Sequence, residues 1–173
     1  MRAKTRALAL GGVLTALAAV LLTLGGLVPL AVYCGPMLAM VVLLPVELEY
    51  GRRPALAAYG AVSALGLLLA ADREAALVYV FFGFYPILRP ALERLPSRPL
   101  RLAAKLTLWT ALGIGLYAFL LFVLGLRDTE LASHGAWYGW TLLGLADVSL
   151  LLLDTVLGRM SALWRKKWRR RFF

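Results

Sequence analysis

The chain has 173 residues, 62% of them hydrophobic and 16% charged, with a formal net charge of +10. A soluble domain of this size coats its core with roughly 25% charged residues, so this composition excludes an ordinary water-facing surface and makes lipid the solvent for most apolar side chains. Asn and Gln are absent, the single Cys and single His exclude an internal disulfide and a Cys/His metal cluster, and no Gly-rich phosphate loop or Walker A motif occurs, so any ATP is bound by another subunit.

The first charge-free run, Ala7 to Val46, is 40 residues long. One span needs about 20 residues, so this run predicts two, over 7–25 and 30–47. The break falls at Gly25, Gly26 and Pro29, with Gly35 and Pro36 a second weak point. The basic start followed by so long an apolar run does not match a cleavable signal peptide. Within the first span, small residues recur every four positions: Ala7, Gly11, Thr15, Ala19 and Thr23, beside Leu8, Gly12, Ala16 and Val20. Positions four apart share a helix face. Small side chains there admit another helix at close range, which is how helices associate in lipid. That second helix belongs either to the same bundle or to a partner subunit.

Glu47 and Glu49 precede Arg52 and Arg53 and are expected to pair with them locally. The next run predicts a third span over 54–71. The fourth, over 75–92, is the weak one, because Ala75 to Leu88 gives only about 21 Å of helix. Arg89 can snorkel to lengthen it, while Pro86 and Pro90 interrupt it and are expected to break or kink it.

The fifth and sixth spans are predicted over 102–126 and 137–158. The sixth carries Asp147 and Asp154, seven residues apart and therefore on one face. A charge near the bilayer centre costs about 2.5–3.5 kcal/mol on insertion scales, so both acids must face the bundle interior and find partners. Asp154 and Lys105 lie at similar depth when counted from their helix ends, and they are expected to form a structural ion pair. Asp147 lies deeper, with Thr107 and Thr110 the nearest polar candidates. It acts either as a neutral hydrogen-bonding acid, since burial raises a carboxyl pKa, or as the ligand of a cationic substrate group or a proton.

With six spans and both ends inside, 17 of the 19 Lys and Arg are cytoplasmic and only Arg73 and Arg127 fall outside. That is the positive-inside pattern, and five spans would put the basic C-terminus on the wrong side. The tail over 159–173 mixes Trp164, Trp168, Phe172 and Phe173 with seven basic residues, a combination suited to an anionic membrane interface. Nucleic-acid binding is rejected, because the basic residues sit in short clusters at helix ends. The expectation is therefore an all-α, single-domain integral membrane bundle of about six transmembrane helices spanning 1–173, with N- and C-termini cytoplasmic.

Six helices, this length, both ends cytoplasmic and the Gly12-Val13-Leu14-Thr15-Ala16 segment together resemble the S component of energy-coupling factor transporters, the membrane-embedded substrate-binding subunit of bacterial importers. In that family the first helix carries a small-xxx-small motif, typically with Ala where Gly12 stands here, that meets the energising transmembrane subunit. The resemblance implies Gly12 and Ala16, with Gly11 and Thr15 beside them, as docking residues. It also implies separate ATPase subunits as partners, a small vitamin-like or related micronutrient ligand, and a bacterial plasma-membrane location. The segment Gly83 to Arg89 is similar to a stretch in S-component-like proteins of unassigned function.

The longest external connection, Arg127 to Trp140, holds the only His. S components close their outer pocket with such loops, so the resemblance implies that His134, Trp137, Tyr138 and Trp140 line it, with Tyr33, Trp109 and Tyr117 below; Asp147 is a candidate substrate contact from its depth in the last span. The alternative for these aromatics is the interfacial belt of any membrane protein. For the whole chain, the alternative is a non-transporting scaffold or partner-binding subunit of a cell-envelope assembly, to which the absence of Asn and Gln lends weight. An enzyme is not expected, because no nucleophile or metal cluster accompanies the acids. No catalytic residue, metal or cofactor is assigned.

Overall fold

A computed structural model describes residues 2–25, 33–70, 72–123 and 136–168. Among these, every regular element is helical: α1 (Arg2–Gly25), α2 (Cys34–Tyr50), α3 (Arg52–Leu69), α4 (Arg73–Phe82), α5 (Tyr85–Leu92), α6 (Arg98–Val123) and α7 (Ala136–Leu163), then a π-helical turn (Trp164–Trp168). The chain divides into two compact units. One takes Met1–Pro90 with Val156–Phe173, the other Ala91–Thr155.

In the first unit α1 packs on α2, α3 and α4, and α2 and α3 also pack on each other and on α4. Small residues make these approaches possible. A Cβ on Gly35 would lie 2.9 Å from Gly25 Cα and 3.1 Å from the Leu21 carbonyl, so α1 and α2 meet backbone to backbone. On α3 the buried positions are Ala55, Ala58, Val62 and Gly66. They form one helical stripe, and Leu22 of α1 seats its Cδ2 2.5 Å from where a Gly66 Cβ would stand. The α2–α3 corner is a single residue, Gly51, at φ 84° and ψ −172°. That backbone region is open essentially to glycine alone. Pro54 follows in the first turn of α3, where its missing N–H has no intrahelical acceptor to lose.

The helix start at α4 is set by Asp72, whose side chain accepts the Glu74 N–H at 2.8 Å, while Glu74 sits in the first turn where the helix dipole favours an acid. The expected break in the 75–92 segment is present, but the joint lies at Gly83–Phe84, upstream of both prolines. Pro86 has no N–H to return to the Phe82 carbonyl, so the ladder stops one turn before it. It resumes when Ile87 and Leu88 donate to the Phe84 carbonyl at 3.1 and 3.2 Å. Pro90 continues inside α5 without a second break.

Tyr59 of α3 covers the joint. Its hydroxyl donates to the Val80 carbonyl at 2.5 Å, and its ring lies 5.9 Å from the buried Tyr79 ring. A Cβ on Gly83 would press on the Tyr79 carbonyl and come within 3.1 Å of Tyr59 Cε2. Gly83→Ala is expected to destabilise the protein by about 1–3 kcal/mol, the usual range for overpacking. Thermal unfolding in detergent micelles checks this, and an unchanged midpoint would mean that the joint shifts its backbone away from the Tyr79 carbonyl without cost.

The tail begins as helix. The expected boundary at 159 is crossed by continuous helix to Leu163 and then the π-helical turn. No Gly or Pro follows Gly158 to stop it, and the basic residues there suit a helix C-terminus.

Two described segments have the length and apolar composition to cross a membrane, Arg73–Leu92 and Arg98–Phe119, and Ala9–Gly25 is apolar but shorter. Large apolar side chains also face outward. Val13, Leu68, Leu145 and Leu152 are each more than 60% exposed.

Candidate functional site

The second unit holds the polar positions on one seam between α6 and α7. The helices run antiparallel: Lys105 meets Asp154, Thr110 meets Asp147, and Gly113 meets Leu143. Lys105 Nζ lies 2.6 Å from Asp154 Oδ2, with side chains 10% and 17% exposed. These are the two residues that depth along their helices places at one level. Of the two threonines near Asp147, it is Thr110 whose hydroxyl donates to Asp147 Oδ2, at 3.3 Å, while Thr107 is exposed. A Cβ on Gly113 would stand 3.2 Å from Leu143 Cδ2, so the seam is tight one turn away from Asp147. Asp147 is half-buried, whereas Leu145, Ala146 and Val148 around it are exposed, which turns Asp147 toward α6.

Lys105 is the one buried charged residue among those described, and its ammonium is committed to Asp154. Asp147 has no ion pair among the described residues; its partner there is a neutral hydroxyl. A carboxylate held in a low-dielectric seam by one neutral donor is under-compensated. Chemically it can accept a second hydrogen bond or hold a cation.

The α1 face is the other sequence-derived site. Nothing lies within 4 Å of a Cβ built on Gly11 or Gly12. Gly12, Val13, Ala16, Leu17 and Val20 are exposed, while Ala18, Ala19, Leu22 and Gly25 are buried. The in-bundle alternative for the small residues is thus met by the inner end of the helix, and Gly12 and Ala16 are left uncovered. Thr15 is half-buried and spends its hydroxyl locally, donating to the Gly11 carbonyl at 2.7 Å. That is the ordinary way a helical Thr satisfies itself in an apolar setting.

The aromatic candidates are dispersed. Tyr33, 60% exposed, belongs to the first unit. In the second, Trp109 is 1% exposed and Tyr117 37%. Trp109 is therefore a core residue, and only Tyr117 of that pair offers surface. Trp137, Tyr138 and Trp140 fall in the first turns of α7, their side chains beyond the described set, and His134 lies outside the described residues. No group of three or more His, Cys, Asp or Glu among the described residues could hold a metal ion.

A contact that sequence reasoning missed lies in the first unit. Trp164 donates its indole N–H to Glu49 Oε1 at 2.9 Å, so Glu49 anchors the C-terminal turn. Glu47 has Arg89, as well as the expected Arg52, among the charges acting on it. Arg89 in turn lies against Gly158, its Nη2 2.8 Å from where a Cβ would stand. No local pattern announces a pairing between residues 115 positions apart. The surplus of basic residues around the two acids is the one available hint, and it points to Arg52 and Arg53.

Comparison with protein-family models, curated proteins and solved structures finds no match to this chain.

Proposed function

We propose that this chain is the substrate-binding S component of an energy-coupling factor importer. It crosses the bacterial plasma membrane six times with both ends cytoplasmic, captures a small solute from the outer side, and docks through α1 on an energising membrane subunit served by separate ATPases. The observation that carries the reading is the uncovered small-residue face of α1. Gly12 and Ala16 are exposed with open space at the glycine, although the same helix packs its other face on α2, α3 and α4. A helix that buries one face and presents a second, glycine-bearing face suits a partner helix at close range.

The outward leucines and valines and the 17-to-2 division of basic residues support the six-span orientation. The segments Arg73–Leu92 and Arg98–Phe119 supply two of the spans, and α1, α2, α3 and α7 the other four. The scaffold reading keeps one specific support, the lack of any Asn or Gln to line a polar pocket. It predicts a complex but no solute.

The test is copurification from the native membrane. Gly12→Leu and Ala16→Leu are expected to abolish recovery of the energising subunit while the protein itself stays folded. Recovery of an intact complex from both variants sinks the docking face.

A further inference from the structure

The seam between α6 and α7 says which class of solute this is, an inference that rests on the substrate-binding reading above. We propose that Asp147 is the recognition carboxylate for a cationic nitrogen, and that the solute is an organic ammonium compound.

Asp147 lies about 17 Å from the start of α7 and about 24 Å from its end, at 1.5 Å per residue. Neither helix end is near enough to solvate it. An acid so placed must be compensated or neutralised. The one buried cation among the described residues, Lys105, is engaged with Asp154 at 2.6 Å. Asp154 lies seven residues away, about 10 Å along the helix. The Lys105–Asp154 pair is therefore internally neutral, and Asp147 carries the net charge of the seam.

Its one partner among the described residues, Thr110, orients the carboxylate by donating to Oδ2 at 3.3 Å and adds no charge. An arriving ammonium supplies what the described residues do not: a charge-assisted hydrogen bond to the carboxylate, shorter and stronger than the neutral one from Thr110. Tyr117, two helical turns further along α6 from Thr110 and partly exposed, offers an aromatic face to the remainder of such a cation. The division of labour is specific: Asp154 is a strut because its cation is built in, and Asp147 is a receptor because its cation is not.

The experiment measures thermal stabilisation of the purified, detergent-solubilised protein by two matched probe pairs. These are choline against its neutral carbon analogue, and benzylammonium against benzyl alcohol. Saturable stabilisation is expected from at least one ammonium probe and from neither neutral partner. Asp147→Asn keeps an acceptor oxygen for Thr110, so it is expected to fold normally and to bind that probe roughly 10- to 100-fold more weakly, the range for a charged hydrogen bond.

Equal binding of the neutral partners, or unchanged affinity in Asp147→Asn, overturns the ammonium assignment and leaves a solute-binding subunit of another specificity. No saturable stabilisation by either ammonium probe overturns it as well. The docking reading is judged separately by the Gly12→Leu and Ala16→Leu copurification, so failure of the two ideas is distinguishable.

Discussion

Asp154→Leu is expected to destabilise the protein by about 3–5 kcal/mol, the range for removing one partner of a buried ion pair. The cost falls on Lys105. Its ammonium sits 2.6 Å from Asp154 Oδ2 in a residue only 8% exposed, and leucine leaves it without its acceptor. The double change Lys105→Met with Asp154→Leu is expected to recover most of the loss, because an apolar pair of similar volume has no charge to desolvate. Unfolding by heat or by a graded denaturing detergent, run on the single and double variants side by side, reads this directly. A double variant as unstable as the single one would show that the pair is not what holds α6 to α7.

Gly35→Leu is expected to be nearly as damaging, and Gly12→Leu harmless to stability, although both put the same side chain on a glycine of an apolar helix. At Gly35 a first carbon already stands 2.9 Å from Gly25 Cα and 3.1 Å from the Leu21 carbonyl. Those neighbours are backbone and cannot rotate away, so α1 and α2 must separate. The expected loss is at or above the upper end of the roughly 1–3 kcal/mol typical of overpacking. At Gly12 no atom lies within 4 Å, and surface changes of this kind stay within about 0.5 kcal/mol. The contrast also calibrates the docking test. A Gly12→Leu protein that unfolds normally yet fails to recover the proposed energising subunit has lost a docking face and not its fold. A Gly35→Leu protein with an unchanged midpoint would mean that the α1–α2 contact is looser than its geometry.

The Lys105–Asp154 pair and the Thr110 contact to Asp147 were legible because antiparallel helices of known rise convert sequence position into depth. Once two residues share a depth on neighbouring helices, the energetic penalty for leaving either alone selects the pairing. The same rule fails for Glu49 and Trp164. Their contact depends on how the C-terminal turn is carried back to α2 within the first unit, and nothing local in either segment encodes that. The aromatic site fails for a different reason. Tyr and Trp suit membrane interfaces, ligand pockets and packed cores alike, so composition could not reveal that Trp109 is core and Tyr117 is surface. The fourth predicted span is interrupted, as its prolines led one to expect, yet it is one of the two described segments long and apolar enough to cross a membrane. Its joint was misplaced because a proline removes a hydrogen bond from the turn before it, and because Gly83 is where Tyr59 needs room.

Helical character, a strongly apolar composition and the shared face of Asp147 and Asp154 were all readable from the sequence alone. These follow from period, composition and charge, which are properties of the chain and independent of how it packs. Only the tertiary structure decided which small residues are consumed inside the first unit and which stay open, because Gly12, Gly35 and Gly83 are chemically identical and differ only in what surrounds them. It also decided that Asp154 has its cation at hand while Asp147 meets, among the described residues, a hydroxyl. Compensation of a buried charge depends on a few ångströms of side-chain placement, and no spacing along the chain carries that information.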